Sequence, residues 1–171
     1  MSTLNVNTIA NVSGTTAATV DSAGRILTPA RPAFHVNKGN AGDQSLGSST
    51  SNVEVTWSHA ILDVGSHFDF SDNSYVVPVT GNYFIQSNIK LDFVGAGKYY
   101  SHTLRADDVS KFMFQQLQTH TTDLGNCVSS GSTVYPFTAG QRLTVTVNVS
   151  EANCVINDNI LQTYFSGFLI G

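Results

Sequence analysis

Hydrophobic and polar positions alternate in two long stretches of the chain. In "RLTVTVNV", Leu143, Val145, Val147 and Val149 share one face and Arg142, Thr144, Thr146 and Asn148 the other, the two-residue period of a half-buried strand. In "NYFIQSNIKLDF", Tyr83, Ile85, Ile89, Leu91 and Phe93 fall together, opposite Gln86, Asn88, Lys90 and Asp92. Phe84 interrupts the polar side, so that face is not wholly wet. Turn-forming clusters separate such runs at short intervals: "NKGNAGD", "FSDNSY", "PVTGN", "VGAGK", "SSGST", "TAGQ" and "SEANC". No segment sustains a helical period. Many short strands between Gly and Asn turns predict an antiparallel sandwich or barrel.

The final stretch, "LQTYFSGFLIG", is apolar on both faces: alternation sets Tyr164, Phe168 and Ile170 against Phe165 and Leu169. A strand that is apolar on both sides must be covered on both sides. The first thirty residues are the opposite case. They hold no aromatic residue, few large apolar ones, and two glycine turns at Gly14 and Gly24. Too little apolar surface is present there to offset the entropy of ordering. Pro29 and Pro32 then fix an extended connection into "AFHV". The expected organisation is an extended N-terminal arm over residues 1–29 and a head domain over 30–171. The apolar side chains of the arm, Leu4, Val6, Ile9, Val12, Val20, Ile26 and Leu27, are the expected attachment residues. They pack on another chain, by strand addition or by winding with copies of themselves, or alternatively fold back on the head.

Composition narrows the function. Only 12% of the 171 residues are charged and the net charge is −4, so there is no basic footprint for nucleic acid or an anionic membrane. No run approaches the roughly 18 apolar residues of a spanning helix, and "MSTLNVNTIANVSG" lacks the basic and apolar regions of a secretory signal. Synthesis in the cytoplasm is the expectation. Cys127 and Cys154 are then expected as packed thiols, with pairing as the alternative.

Enzyme signatures are missing: no phosphate-cradling glycine loop, GxSxG elbow, HExxH or CxxC occurs. His35, His59, His67, His102 and His120 are scattered. Asp69 with Asp72, and Asp107 with Asp108, lie in turns, where aspartate is expected for its own backbone hydrogen bonds; either pair is a minor Ca²⁺ candidate. Trp57, Tyr99 and Tyr100 are candidates for a sugar-stacking surface, against the commoner role of core packing. No cofactor and no catalytic residue is assigned.

Several segments, in order, resemble the complement-type globular head domain, the family that shares a trimeric jelly roll with the tumour necrosis factors and adiponectin. They are "ARPAFHVNKG", "DVGSHFDFSDNSYVVPVTGNYFIQSNIKLDF", "YPFTAGQRLTVTV" and "TYFSGFLIG". Phe68 and Asp69 match the family's buried aromatic and aspartate, Pro78, Gly81, Tyr83 and Ile85 its P-x-x-G-x-Y step, and Phe165 to Leu169 its closing strand. Gln141 departs from the family's usual aspartate. The resemblance implies an all-β, antiparallel jelly-roll sandwich assembled as a homotrimer, with Tyr83, Ile85, Phe165, Phe168 and Leu169 in core and trimer contacts. The arm resembles the openings of structural proteins of tailed bacteriophages, which implies a virion decoration, cement or fibre-knob protein held to a major capsid or tail protein. A knob that binds a receptor or host-surface glycan is the alternative.

Overall fold

The strand predicted over 83–93 is the spine of the molecule. The computed structural model describes residues 6–47, 51–118, 121–150 and 153–171, and Leu4 and His120 lie outside that set. Among the described residues the secondary structure is entirely β. Numbered in chain order, the strands are β1 (Thr8–Ala10), β2 (Thr16–Val20), β3 (Ile26–Leu27), β4 (Ala33–Asn37), β5 (Gln44–Ser45), β6 (Val53–Glu54), β7 (His59–Asp63) and β8 (Phe68–Asp69). They continue with β9 (Ser74–Val76), β10 (Gly81–Val94), β11 (Tyr99–Ala106), β12 (Val109–Gln118), β13 (Gly125–Phe137), β14 (Arg142–Val149), β15 (Val155–Ile156) and β16 (Tyr164–Leu169).

Two antiparallel sheets form the jelly-roll sandwich. The first runs β5-β15-β10-β16-β4-β7, with β13 on the other edge of β10; the second runs β12-β11-β14-β9-β8, with β6 also on β14. The closing strand β16 is therefore internal, paired with β10 on one side and β4 on the other. Its inward residues meet an aromatic cluster that joins the sheets. Phe165 packs edge-on against Phe34 at 4.8 Å, and Phe34 stacks on Tyr75 of the second sheet at 4.0 Å. Tyr83, Ile85, Ile89 and Leu91 from β10, and Leu143, Val145 and Val147 from β14, are wholly buried in the same core.

The polar face of β14 is less wet than alternation implies. Thr144 and Thr146 are buried too, because β14 is central in its sheet and has β11 and β6 beside it. The alternation of β10 also breaks. A bulge between Asp92 and Val94 gives the inward position to Val94, 1% exposed, and turns Phe93 outward at 64%. One inserted residue is enough to reverse the faces of everything beyond it.

The extended arm is corrected to a small folded unit. β1, β2 and β3 form a three-stranded antiparallel sheet of their own. Its two turns share one chemistry. The Asn11 side chain accepts hydrogen bonds from the Ser13 and Thr15 N–H groups, and Asp21 accepts from Ala23 and Arg25, each turn ending with a glycine at positive φ, Gly14 at 85° and Gly24 at 77°. Local side-chain capping supplies the order that core burial does not. Ile9, Val12, Ile26 and Leu27 remain exposed and Val20 half-buried.

Past the arm, Arg31 donates to the carbonyls of Leu169 and Ile170, and the Leu169 N–H to Pro32 at 3.0 Å. The entry to β4 and the exit from β16 are thus tied at one end of the sandwich. Within β16, Gly167 faces the core where a Cβ would lie 2.6 Å from Ile85 Cδ1, 2.8 Å from the Phe84 carbonyl and 2.9 Å from Phe34. Gly167→Ala is expected to destabilise the head by about 2 kcal/mol through overpacking, measured as a lowered denaturation midpoint with unchanged slope.

Candidate functional site

Two clusters of chemistry-bearing side chains stand out among the described residues, and neither forms a reaction centre. In the core, the His102 ring nitrogens lie 3.0 Å from the hydroxyls of Ser129 and Ser87, and its ring packs on Phe114 at 4.7 Å. Ser87 donates onward to the Tyr164 carbonyl at 3.3 Å, so it accepts from His102 Nε2–H, and Nδ1 accepts from Ser129. Burial pushes the imidazole pKa down to about 3. All three side chains are 0% exposed. The trio is a neutral polar cross-link between β10, β11 and β13, closed to any substrate.

At the end of the sandwich near the arm, the two sequence-predicted acidic pairs come together beside one residue, Arg142. Arg142 contacts Asp72 and lies 3.5 Å from Asp69, and its backbone N–H donates to Asp107 at 3.0 Å. Asp107 and Asp108, at φ 49° and 61°, form the two-residue hairpin turn between β11 and β12, a conformation aspartate tolerates. Ser71 and Arg142 hold the Asp69 carboxyl below its ordinary pKa, the Ser71 hydroxyl contributing most. Asp69, expected to be buried, is instead half-exposed, and the neighbouring half-buried Asp63 accepts from the His67 and Phe68 N–H groups at 3.0 Å. Among the described residues no cluster of His, Cys, Asp and Glu suits a metal ion.

The feature with clear functional character is the outer face of the first sheet. Register places Val134, Phe84, Phe168 and Ala33 in one row across β13, β10, β16 and β4. The next row holds Ser132, Gln86, Ser166, His35 and, on β7, Leu62. Phe84 and Phe168 are in ring contact at 5.3 Å. Tyr164 stacks on His35 at 5.3 Å and accepts from Gln86 at 3.2 Å. Leu62, Val134, Phe168 and Ile170 are each 43–56% exposed, so the face is apolar, aromatic and uncovered within one chain. Such a patch on the central strands of a sheet marks an interaction surface.

A family model described as the C1q domain matches residues 33–170. This chain belongs to the C1q domain family. The matched region takes in every strand from β4 to β16 and leaves out the three-stranded arm. Among solved structures, the globular domain of zebrafish complement 1qA protein aligns with a TM-score of 0.58 at 18% identity, over 82% of this chain and 98% of that one. Murine APRIL aligns at 0.59 and 14%, over 82% and 99%. Eiger TNF from S. frugiperda aligns at 0.58 and 16%, over 82% and 94%. At these identities the likeness is one of fold. No curated protein matches the chain.

Within the C1q-type head, Tyr83, Ile85 and Phe165 lie in the core, with the Tyr83 hydroxyl donating to the Val79 carbonyl at 2.8 Å. Leu169 is half-buried against that core, and Phe168 alone of the five stands on the outer face. Trp57 and Tyr100 are core residues at 4% and 1% exposed, so they form no sugar platform with Tyr99. Cys127 and Cys154 are thiols, not a disulfide. Val134, Leu62 and His35 were missed as members of the outer face; the signals for it were Phe84 on the polar side of its strand and the second apolar face of the closing stretch.

The buried imidazole makes a pH prediction. His102 is neutral in the fold and protonates near its ordinary pKa when unfolded, so its contribution is complete above about pH 6.5 and is lost as pH falls toward 3. Comparison of denaturation midpoints at neutral pH and near pH 4.5 should show an acid loss on the order of 2 kcal/mol larger in the native chain than in His102→Gln. Equal acid losses would refute it.

Proposed function

We propose that this C1q-family chain is a non-enzymatic structural protein whose head assembles as a homotrimer through the outer face of the first sheet. The Phe84–Phe168 row, flanked by Val134, Ile170 and Leu62, carries the proposal. Burial of this patch against neighbouring copies supplies the driving force, at roughly 25 cal/mol per Å² of apolar area. Family membership supports self-association, since a homotrimer is what the resemblance to complement-type heads implies, and the exposed aromatic row is what assigns it to this face. The polar middle of the patch, His35, Tyr164 and Gln86, would set the register between copies through directional hydrogen bonds.

The arm gives the assembly an address. Its exposed Ile9, Val12, Ile26 and Leu27 leave the end of the sandwich where Arg31 meets β16. Three arms on one trimer would bind a particle with an avidity no single arm has. The resemblance of the arm to phage structural proteins supports a virion address, with this chain as a decoration, cement or fibre-knob protein, a major capsid or tail/fibre protein as its partner, and the host cytoplasm as the place of synthesis.

Sedimentation equilibrium of the full chain should give three times the monomer mass. Phe84→Ser with Phe168→Ser should give folded monomers, because both side chains point away from the core; a native monomer would sink the proposal. Burial already holds the His35 pKa below its ordinary value, and closer burial in a trimer would lower it further. Association should therefore be strongest above about pH 7 and weaken as pH falls below about 6, an effect absent in His35→Gln. For the virion address, removal of residues 2–29 should leave trimers intact and abolish binding to particles stripped of this protein; undiminished binding would exclude the arm as the anchor.

A further inference from the structure

The end of the head far from the arm has a different character. Continued alternation along β10 would send Phe93 into the core after Ile89 and Leu91. The bulge instead seats Val94 inside and holds Phe93 in the left-handed region, at φ 63°. That conformation is disfavoured for a bulky side chain. The result is an aromatic ring 64% exposed at the tip of the longest strand.

Phe93 is one wall of a cavity of about 320 Å³ whose described lining also includes Val94, Gly95, Asp123, Gly125 and Asn153. Two hydrogen bonds join the loops that frame it. Leu124 N–H donates to the Val94 carbonyl at 3.0 Å, and Ala96 N–H to Asp123 Oδ1 at 2.7 Å. The second bond orients the Asp123 carboxylate and leaves Oδ2 without a partner among the described residues. Gly95 and Gly125 carry no side chain, so a ligand can approach the backbone closely.

We propose that this cavity is a saccharide-binding site, with Phe93 as the stacking platform and Asp123 and Asn153 as the hydroxyl-reading groups. A pyranose has one face of C–H bonds, which packs on an aromatic ring, and a rim of hydroxyls. The carboxylate accepts hydrogen bonds from adjacent hydroxyls, and the carboxamide both donates and accepts. A fixed carboxylate and a net charge of −4 favour neutral or N-acetylated sugars over sialylated or sulfated ones. Placement also fits, because the cavity opens at the end opposite the arm junction. Binding by one head does not depend on the trimer; only the gain from three sites presented together does.

The test uses the full chain and saturation-transfer NMR with methyl glucoside, galactoside, mannoside and N-acetylglucosaminide, beside sialyllactose. At least one neutral pyranoside should bind and sialyllactose should not. Asp123→Asn and Phe93→Gly should each weaken that binding by about tenfold or more. Phe93→Gly also removes an unfavourable backbone conformation, so its melting temperature should equal or exceed that of the native chain. Loss of binding with retained stability is the signature of a ligand platform. Competition by a neutral polysaccharide at lower sugar concentration than the monosaccharide would identify a surface polymer as the source; equal potency would identify free sugar. No binding by any neutral pyranoside, undiminished binding by Phe93→Gly, or a destabilised Phe93→Gly would each overturn the proposal.

Discussion

The architecture depends on β16 being paired along both edges. An internal strand has no exposed backbone groups, so its side chains alone decide what it touches. Phe165 and Gly167 go inward, where the glycine makes room for the Phe34 ring and the Ile85 side chain. Tyr164 and Phe168 go outward and, with Ile170 just past the strand, make its side of the apolar face. One six-residue strand thus specifies the core and the surface available to other molecules.

Much of this is legible in the chain. The strand pattern, the sandwich and the two apolar faces of the closing segment follow from two-residue periodicity, and Phe84 already showed that the outer face of β10 was not simply wet. The bulges were not legible. Phe93 and Leu62 owe their orientation to extra residues in β10 and β4–β7 pairing, and an extra residue is visible only once the partner strand is known. The acidic pairs were read as separate turns because Arg142, which brings them together, lies far from both in the chain. His102 looks like any scattered histidine until β10 and β13 place a serine at each of its ring nitrogens.

The arm owes its order to a different source. Its poverty in apolar residues was read correctly, but burial is not the only source of order. Asn11 and Asp21 each tie down two backbone N–H groups, and the same turn recurs ten residues later in the chain. Such a unit is ordered by local hydrogen bonds while its apolar side chains stay outside. That combination suits an element that keeps its shape before it meets a partner.

The pairing of β16 also constrains how the molecule comes into being. Ala33 is opposite Phe168 and Phe84 opposite the same residue, so the first sheet has no centre until the ribosome has released the segment around residues 164–169. Up to then β4 and β10 carry open edges and the aromatic cluster lacks Phe165. Folding of the head in this sense waits for that segment, whereas the locally bonded arm can form as soon as it emerges. Nascent chains on one message would then display finished arms beside unfinished heads, and any order of assembly must begin from that asymmetry.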